Sequence, residues 1–145
     1  MTDFTFPPAP ATRQEAFDRA ALHLLRTRKP SFTVGESGFA TCQYGGSGCA
    51  LRPFLPDDPQ ALRYFDGLGA IADIPLEDLP DWMIEEIEFF SDLQQAHDDP
   101  LNGRQNVPDP AKWFASWAAA MQKIATRYRL DDSLITDALA LEAQL

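Results

Sequence analysis

Trp113, Trp117, Met121, Ile124 and Tyr128 recur at helical spacing behind Asp109-Pro110, and this stripe constrains the fold of the 145-residue chain more than any other feature. Aspartate is a preferred cap for the free amides of a helix start, and proline suits the first helical position because no hydrogen bond is needed there. Phe114, Ala118 and Ala125 widen the stripe, so the helix must bury a broad face. Lys123, Arg127 and Arg129 lie toward its C-terminal end, where cations offset the helix dipole. A face this aromatic serves a core or a dimer seam equally well.

Other segments carry the same kind of signal. Thr12 and Glu15 form a capping-box pattern ahead of Phe17, Ala20, Ala21, Leu24 and Leu25, and Pro30 stops that helix. Asp58-Pro59 starts a short helix that buries Leu62 and Phe65 and ends at Gly67. The stretch from Leu68 to Leu79 predicts one short turn around Ile71 and then a loop around Pro75. Pro80-Asp81 opens an acidic helix running to about His97, Asp99 to Pro108 is a loop, and Asp131-Asp132-Ser133 caps a last helix. Between the first two helices, Phe32 and Val34 suggest a strand, and residues 39–44 alternate. Gly45-Gly46-Ser47-Gly48 then predicts a turn, with the hairpin returning through Cys49, Ala50 and Leu51. Two or three such strands are marginal alone and must pack on helices. The expected fold is therefore α+β: a mostly helical single domain over residues 12–145, with about five helices and a small β-hairpin near residues 32–51. Residues 1–11 form an extended proline-rich arm, because Pro7, Pro8 and Pro10 fix φ and remove amide donors. Phe4 and Phe6 pin this arm onto the body or onto a partner.

Charge narrows the function. The chain has 22 acidic and 12 basic residues, a net −10, and thirteen of the acids fall between residues 57 and 100 beside Arg63 alone. Phosphate backbones are held by lysine and arginine, so nucleic acid is not the expected partner. The basic group Arg26, Arg28 and Lys29 sits where the first helix ends, which the dipole explains. Met1 to Pro10 lacks the cationic start and apolar stretch of a signal peptide, and two cysteines make no disulfide framework, so a cytoplasmic location is expected. No run approaches the roughly 18 apolar residues of a membrane span. There is no Gly-x-Gly-x-x-Gly, no Gly-Lys-Ser/Thr phosphate loop and no His-Glu-x-x-His, and no cofactor is expected.

Two groups of residues are candidates for function. On a helical wheel with Met83 at zero, Ile87 and Phe90 lie at about 40° and 340°, while Glu85, Glu88 and Asp92 gather between about 120° and 200°. That acidic stripe reads as a docking surface for a basic protein partner, or as an ordinary solvated face. His97 falls near 320° by the same spacing, inside the apolar arc, where a histidine must be hydrogen-bonded. It is either a buried structural link that closes the helix onto the loop at Asp98-Asp99, or it faces a cleft. Cys42, Cys49 and His97, with His23 as a further ligand, are the residues a metal or thiol site would use, although Cys42 and Cys49 lack the close spacing usual for zinc. Cysteine is equally a small buried hydrophobe.

Phe17-Asp18 with Leu24-Leu25, Cys42-Gln43-Tyr44, Cys49-Ala50-Leu51, Leu55-Pro56-Asp57 and above all Phe90-Ser91-Asp92-Leu93-Gln94 with His97-Asp98 are the residues of a resemblance. In this order they resemble a family of small uncharacterised bacterial and phage-encoded proteins, across roughly Phe17 to Asp98. The short loop between the cysteines and Arg52-Pro53 depart from that pattern. The resemblance implies accessory gene content of bacteria or their phages and carries over no catalytic role. The expected function is thus a non-enzymatic accessory protein that binds a protein partner through Glu85, Glu88 and Asp92, of which a phage-encoded inhibitor or regulator is one concrete form. The alternative is a metal-binding or thiol-dependent domain built on Cys42, Cys49 and His97.

Overall fold

The computed structural model describes residues 4–45 and 48–144, and the turn residues Gly46 and Ser47 of the expected hairpin lie outside them. Helix α1 spans Arg13–Thr27, opened by the Thr12 hydroxyl, which accepts the Glu15 amide at 3.1 Å. Glu15 reaches back to the Ala11 amide rather than to that of Thr12, a shifted form of the expected capping box. Strands β1 (Phe32–Val34) and β2 (Ala40–Cys42) follow, then a single 3-10 turn at Arg52–Phe54. Helix α2 spans Pro59–Leu68, capped by the Asp58 carboxylate. Two more 3-10 turns, Ile71–Asp73 and Leu76–Asp78, lead to α3 (Asp81–Glu85) and α4 (Ile87–Asp98). Helix α5 spans Pro110–Tyr128, with Asp109 accepting the Lys112 amide, and α6 spans Ser133–Ala143. The described chain is a mostly helical single domain with a two-stranded antiparallel hairpin, as the sequence predicts.

The aromatic stripe of α5 is core. Trp113 and Trp117 have no exposed surface and stack at 6.1 Å between ring centroids, against α4. Phe89 meets Tyr128 edge-on at 4.9 Å, and Phe90 meets Phe54 at 5.0 Å. Phe4 and Phe6 each lie 6.0 Å from Phe65, which fixes the described part of the proline-rich arm onto α2.

Two sequence expectations are corrected. The hairpin turns at Gly35–Phe39, not at Gly45–Gly48: Phe32 pairs with Cys42, Thr33 with Thr41 and Val34 with Ala40. Cys49, Ala50 and Leu51 form no strand; they run into the 3-10 turn at Arg52. Gly38 closes the earlier turn with a positive φ (83°), its amide donating to the Gly35 carbonyl at 2.9 Å. The far edge of β2 is covered instead by the loop after α4, where Arg104 accepts the Ala40 amide and the Gly103 amide returns to Ala40, both at 3.0 Å. The second correction is that the acidic helix breaks at Glu86 (φ −116°, ψ 29°) into α3 and α4. A straight helix would set Met83 and Phe89 on different faces, about 120° apart. Both are buried, and the interruption allows it.

Candidate functional site

The C-terminal half of α4 carries Gln94, His97 and Asp98 on its buried side, one turn apart at the first two positions. The chain from Ser31 to Tyr44 crosses this face. His97 has no exposed surface and uses both ring nitrogens: the Ser31 amide donates to Nε2 at 2.9 Å, and Nδ1 lies 2.6 Å from Asp98 Oδ1. A backbone amide can only donate, so Nε2 carries the lone pair and Nδ1 the proton that goes to Asp98. Trp113 Nε1 donates to the His97 carbonyl at 3.0 Å, and the two rings meet edge-on at 5.4 Å.

Gln94 works in parallel. Its carbonyl accepts the Ile71 amide at 2.7 Å and its amide donates to the Tyr44 hydroxyl at 2.8 Å. Tyr44 in turn donates to the Gly69 carbonyl at 2.6 Å, and its own amide goes to Asp66 at 2.6 Å. Asn102 accepts the Cys42 amide at 2.8 Å, and the Ser31 hydroxyl donates to Gly45 at 2.6 Å. These bonds tie the hairpin, the end of α2, α4 and the loop after it into one network.

Both thiols are free. Burial pushes the Cys42 and Cys49 thiols well above the ordinary thiol range, and the nearby Asp98 carboxylate pushes further the same way. Both therefore stay protonated, the form that is neither a nucleophile nor a good metal ligand. Asp66 is raised as well, chiefly by burial, against the pull of the Tyr44 and Gly45 amides.

No family model, curated protein or solved structure matches the chain. The chemistry must be judged from the geometry alone. Cys42, His97 and Asp98 bring one ligand atom each within 4.8 Å of one another, the only such group of three among the described residues. Cys49 is not part of it. A metal on either nitrogen of His97 would have to displace Ser31 or Asp98, and would need Cys42 ionised. The adjoining cavity, walled by Cys42, Tyr44, Cys49, Gln94 and Asp98, measures about 90 Å³. Small-molecule sites run from roughly 300 Å³ upward, so this one has room for a few waters. His23 stands apart, with Nε2 3.3 Å from the Gly48 carbonyl.

The acidic stripe is split by the break at Glu86. Glu88 and Asp92, on α4, hold Arg127 at 2.6 and 2.9 Å, and Asp92 also accepts the Tyr128 hydroxyl at 2.7 Å. Glu86 is bound by Arg13 at 2.5 Å. Glu85, on α3, is exposed and has no hydrogen-bond or ion-pair partner among the described residues. Sequence reasoning singled out His97 but not Gln94, whose position near 20° on the same wheel puts an amide in the middle of the apolar arc. That is the signal that could have found it.

Among the described residues no helix is long and apolar enough to cross a membrane.

Proposed function

We propose that this chain is a non-enzymatic binding protein whose acidic segment engages a basic protein partner, with Glu85 as the anchoring carboxylate. The observation that carries this reading is a cavity of about 300 Å³ between Pro10–Arg13 and the α3–α4 junction. Trp82, Phe89 and Phe90 line it, with Trp82 and Phe90 edge-on at 5.8 Å, and Glu85 and Glu86 stand at its rim. Arg13 occupies Glu86 and leaves Glu85 unpaired. An arginine or lysine side chain suits this lining, with its apolar stem over the aromatic rings and its cation beside Glu85. Glu88 and Asp92 extend the negative surface, although a partner there competes with Arg127.

The test is capture from nuclease-treated cell lysate, read by mass spectrometry, with the wild-type chain, Glu85→Lys and Trp82→Ala side by side. A stoichiometric basic protein that is lost with both variants supports the reading. Capture that survives both substitutions excludes this face. A second reading, a metal or thiol site on Cys42 and His97, has the convergence of Cys42, His97 and Asp98 in its favour. Titration with zinc followed by elemental analysis distinguishes it: near-stoichiometric zinc lost in Cys42→Ser would favour the metal site over the binding protein.

A further inference from the structure

On the face formed by α1 and the 3-10 turn at Arg52–Phe54, the charge pattern of the molecule inverts. Leu22 and His23 lie three and four residues after Arg19, and Arg26 lies four and three residues after them, so all four share one side of α1. Opposite them stand Arg52 and Pro53, and the cavity between measures about 480 Å³, within the roughly 300–1,000 Å³ of small-molecule sites. Three arginines and one histidine line it against a single carboxylate, Asp57, in a chain whose net charge is −10. Charges beyond about 8 Å are largely screened at physiological ionic strength, so the lining and the Glu15 carboxylate paired with Arg19, and not the distant acids, set the potential here.

The cations are not equally committed. Arg19 is held by Glu15 at 2.6 Å and by the Pro8 carbonyl, and its guanidinium lies over Phe54. Arg52 donates to Asp57 at 3.0 Å, but the Asp57 side chain is 93% exposed and can swing into water. Arg26 is exposed and has no hydrogen-bond or ion-pair partner among the described residues. Gly48 packs against two of these side chains. Its φ is +86°, and a Cβ there would lie 2.6 Å from the Arg52 Cγ and 2.9 Å from His23 Nε2. Only a glycine lets the backbone pass between these two side chains and keep both at the cavity.

We infer that the cavity bounded by Arg19, His23, Arg26 and Arg52 is a binding site for a dianionic phosphate group, free or carried by a small organic molecule. The fork of donors on a guanidinium matches phosphate oxygens, and once Asp57 swings away the three arginines, with Glu15 still paired to Arg19, leave the two positive charges that match a dianion. Arg26 and Arg52 are the primary contacts, with Asp57 displaced on binding. Leu22, Pro53 and Leu55 offer apolar wall to an organic portion. This site lies apart from the Glu85 cavity and stands whether or not a basic partner binds there.

The experiment is isothermal titration of the full chain at physiological salt with inorganic phosphate in one arm and adenosine monophosphate in the other. Saturable one-to-one binding in the millimolar range or tighter is expected in at least one arm. Arg26→Gln, which breaks no internal bond, weakens it, and Arg26→Gln with Arg52→Gln weakens it by more than about tenfold. Equal affinity in the two arms identifies free phosphate as the ligand, and preference for the nucleotide identifies the phosphomonoester. No saturation in either arm, or an affinity unchanged in both variants, overturns the inference.

Discussion

Replacing His97 by alanine separates a structural histidine from one kept for chemistry. The substitution strands the Ser31 amide, whose residue is 3% exposed, and removes the ring N–H that the Asp98 side chain, itself 12% exposed, accepts. An unsatisfied buried amide costs about 1–3 kcal/mol and a charged group more. The ring also leaves a void beside Trp113, which adds a cavity cost. The loss comes to at least about 3 kcal/mol, a large share of the roughly 5–15 kcal/mol that holds a domain together. With a urea dependence of about 1–3 kcal/mol per molar, the midpoint falls by about 1 M or more. His97→Gln retains one acceptor and one donor and recovers part of that loss. Urea denaturation followed by tryptophan fluorescence measures all three chains. A loss below about 1 kcal/mol for the alanine variant would refute the argument that these bonds stabilise the fold, because surface-like values mean the partners find water instead.

Alkaline sensitivity follows from the thiols. Cys42 and Cys49 stay protonated in the fold while their unfolded counterparts ionise near 9.0, so the folded state keeps protons the unfolded state loses. Stability is therefore full below that pH and falls above it, by about 1.4 kcal/mol per pH unit for the buried Cys49; Cys49→Ala should flatten the decline in denaturation midpoints between mildly and strongly alkaline buffers. Both thiols should also react with an alkylating reagent more slowly than in the urea-unfolded chain. Tyr128 is pushed up to about 12, first by burial and then by Asp92, so Asp92→Asn should lower its phenolate midpoint part-way toward 10.0 in an ultraviolet titration; no movement would discount the 2.7 Å bond. Gly48→Ala combines a positive φ with contacts under 3.0 Å and should cost about 1–3 kcal/mol in the same urea assay.

The helices were legible because their signals are local. Asp58-Pro59, Asp109-Pro110 and Thr12 each mark a start through bonds made within a few residues, and the α5 stripe shows its period directly. The hairpin register was not legible, since two glycine-containing stretches compete for the turn. The deciding bonds from β2 go to Gly103 and Arg104, far along the chain. The break at Glu86 was hidden for a similar reason: Arg13, more than 70 residues upstream, takes the carboxylate. The burial of His97 was readable from its place on the apolar arc. Its partners were not, because the donor to Nε2 is a backbone amide, and no side-chain pattern announces one. Nor does the wheel reveal that Arg127 neutralises Glu88 and Asp92, which leaves Glu85 as the free member of the stripe.

The bond from Ser31 to His97 joins residues 66 apart in sequence, and the one from Tyr44 to Gln94 joins residues 50 apart. Closing such long loops is entropically demanding, and its reward comes only once α4 is in place to receive the hairpin. The hairpin is too short to persist by itself, so its assembly belongs to the late stages of folding. Read in reverse, the network makes the hairpin and α4 open together rather than one at a time. The Ser31 amide hydrogen should accordingly exchange with solvent deuterium at a rate set by unfolding of the whole domain, and not by fraying of a three-residue strand.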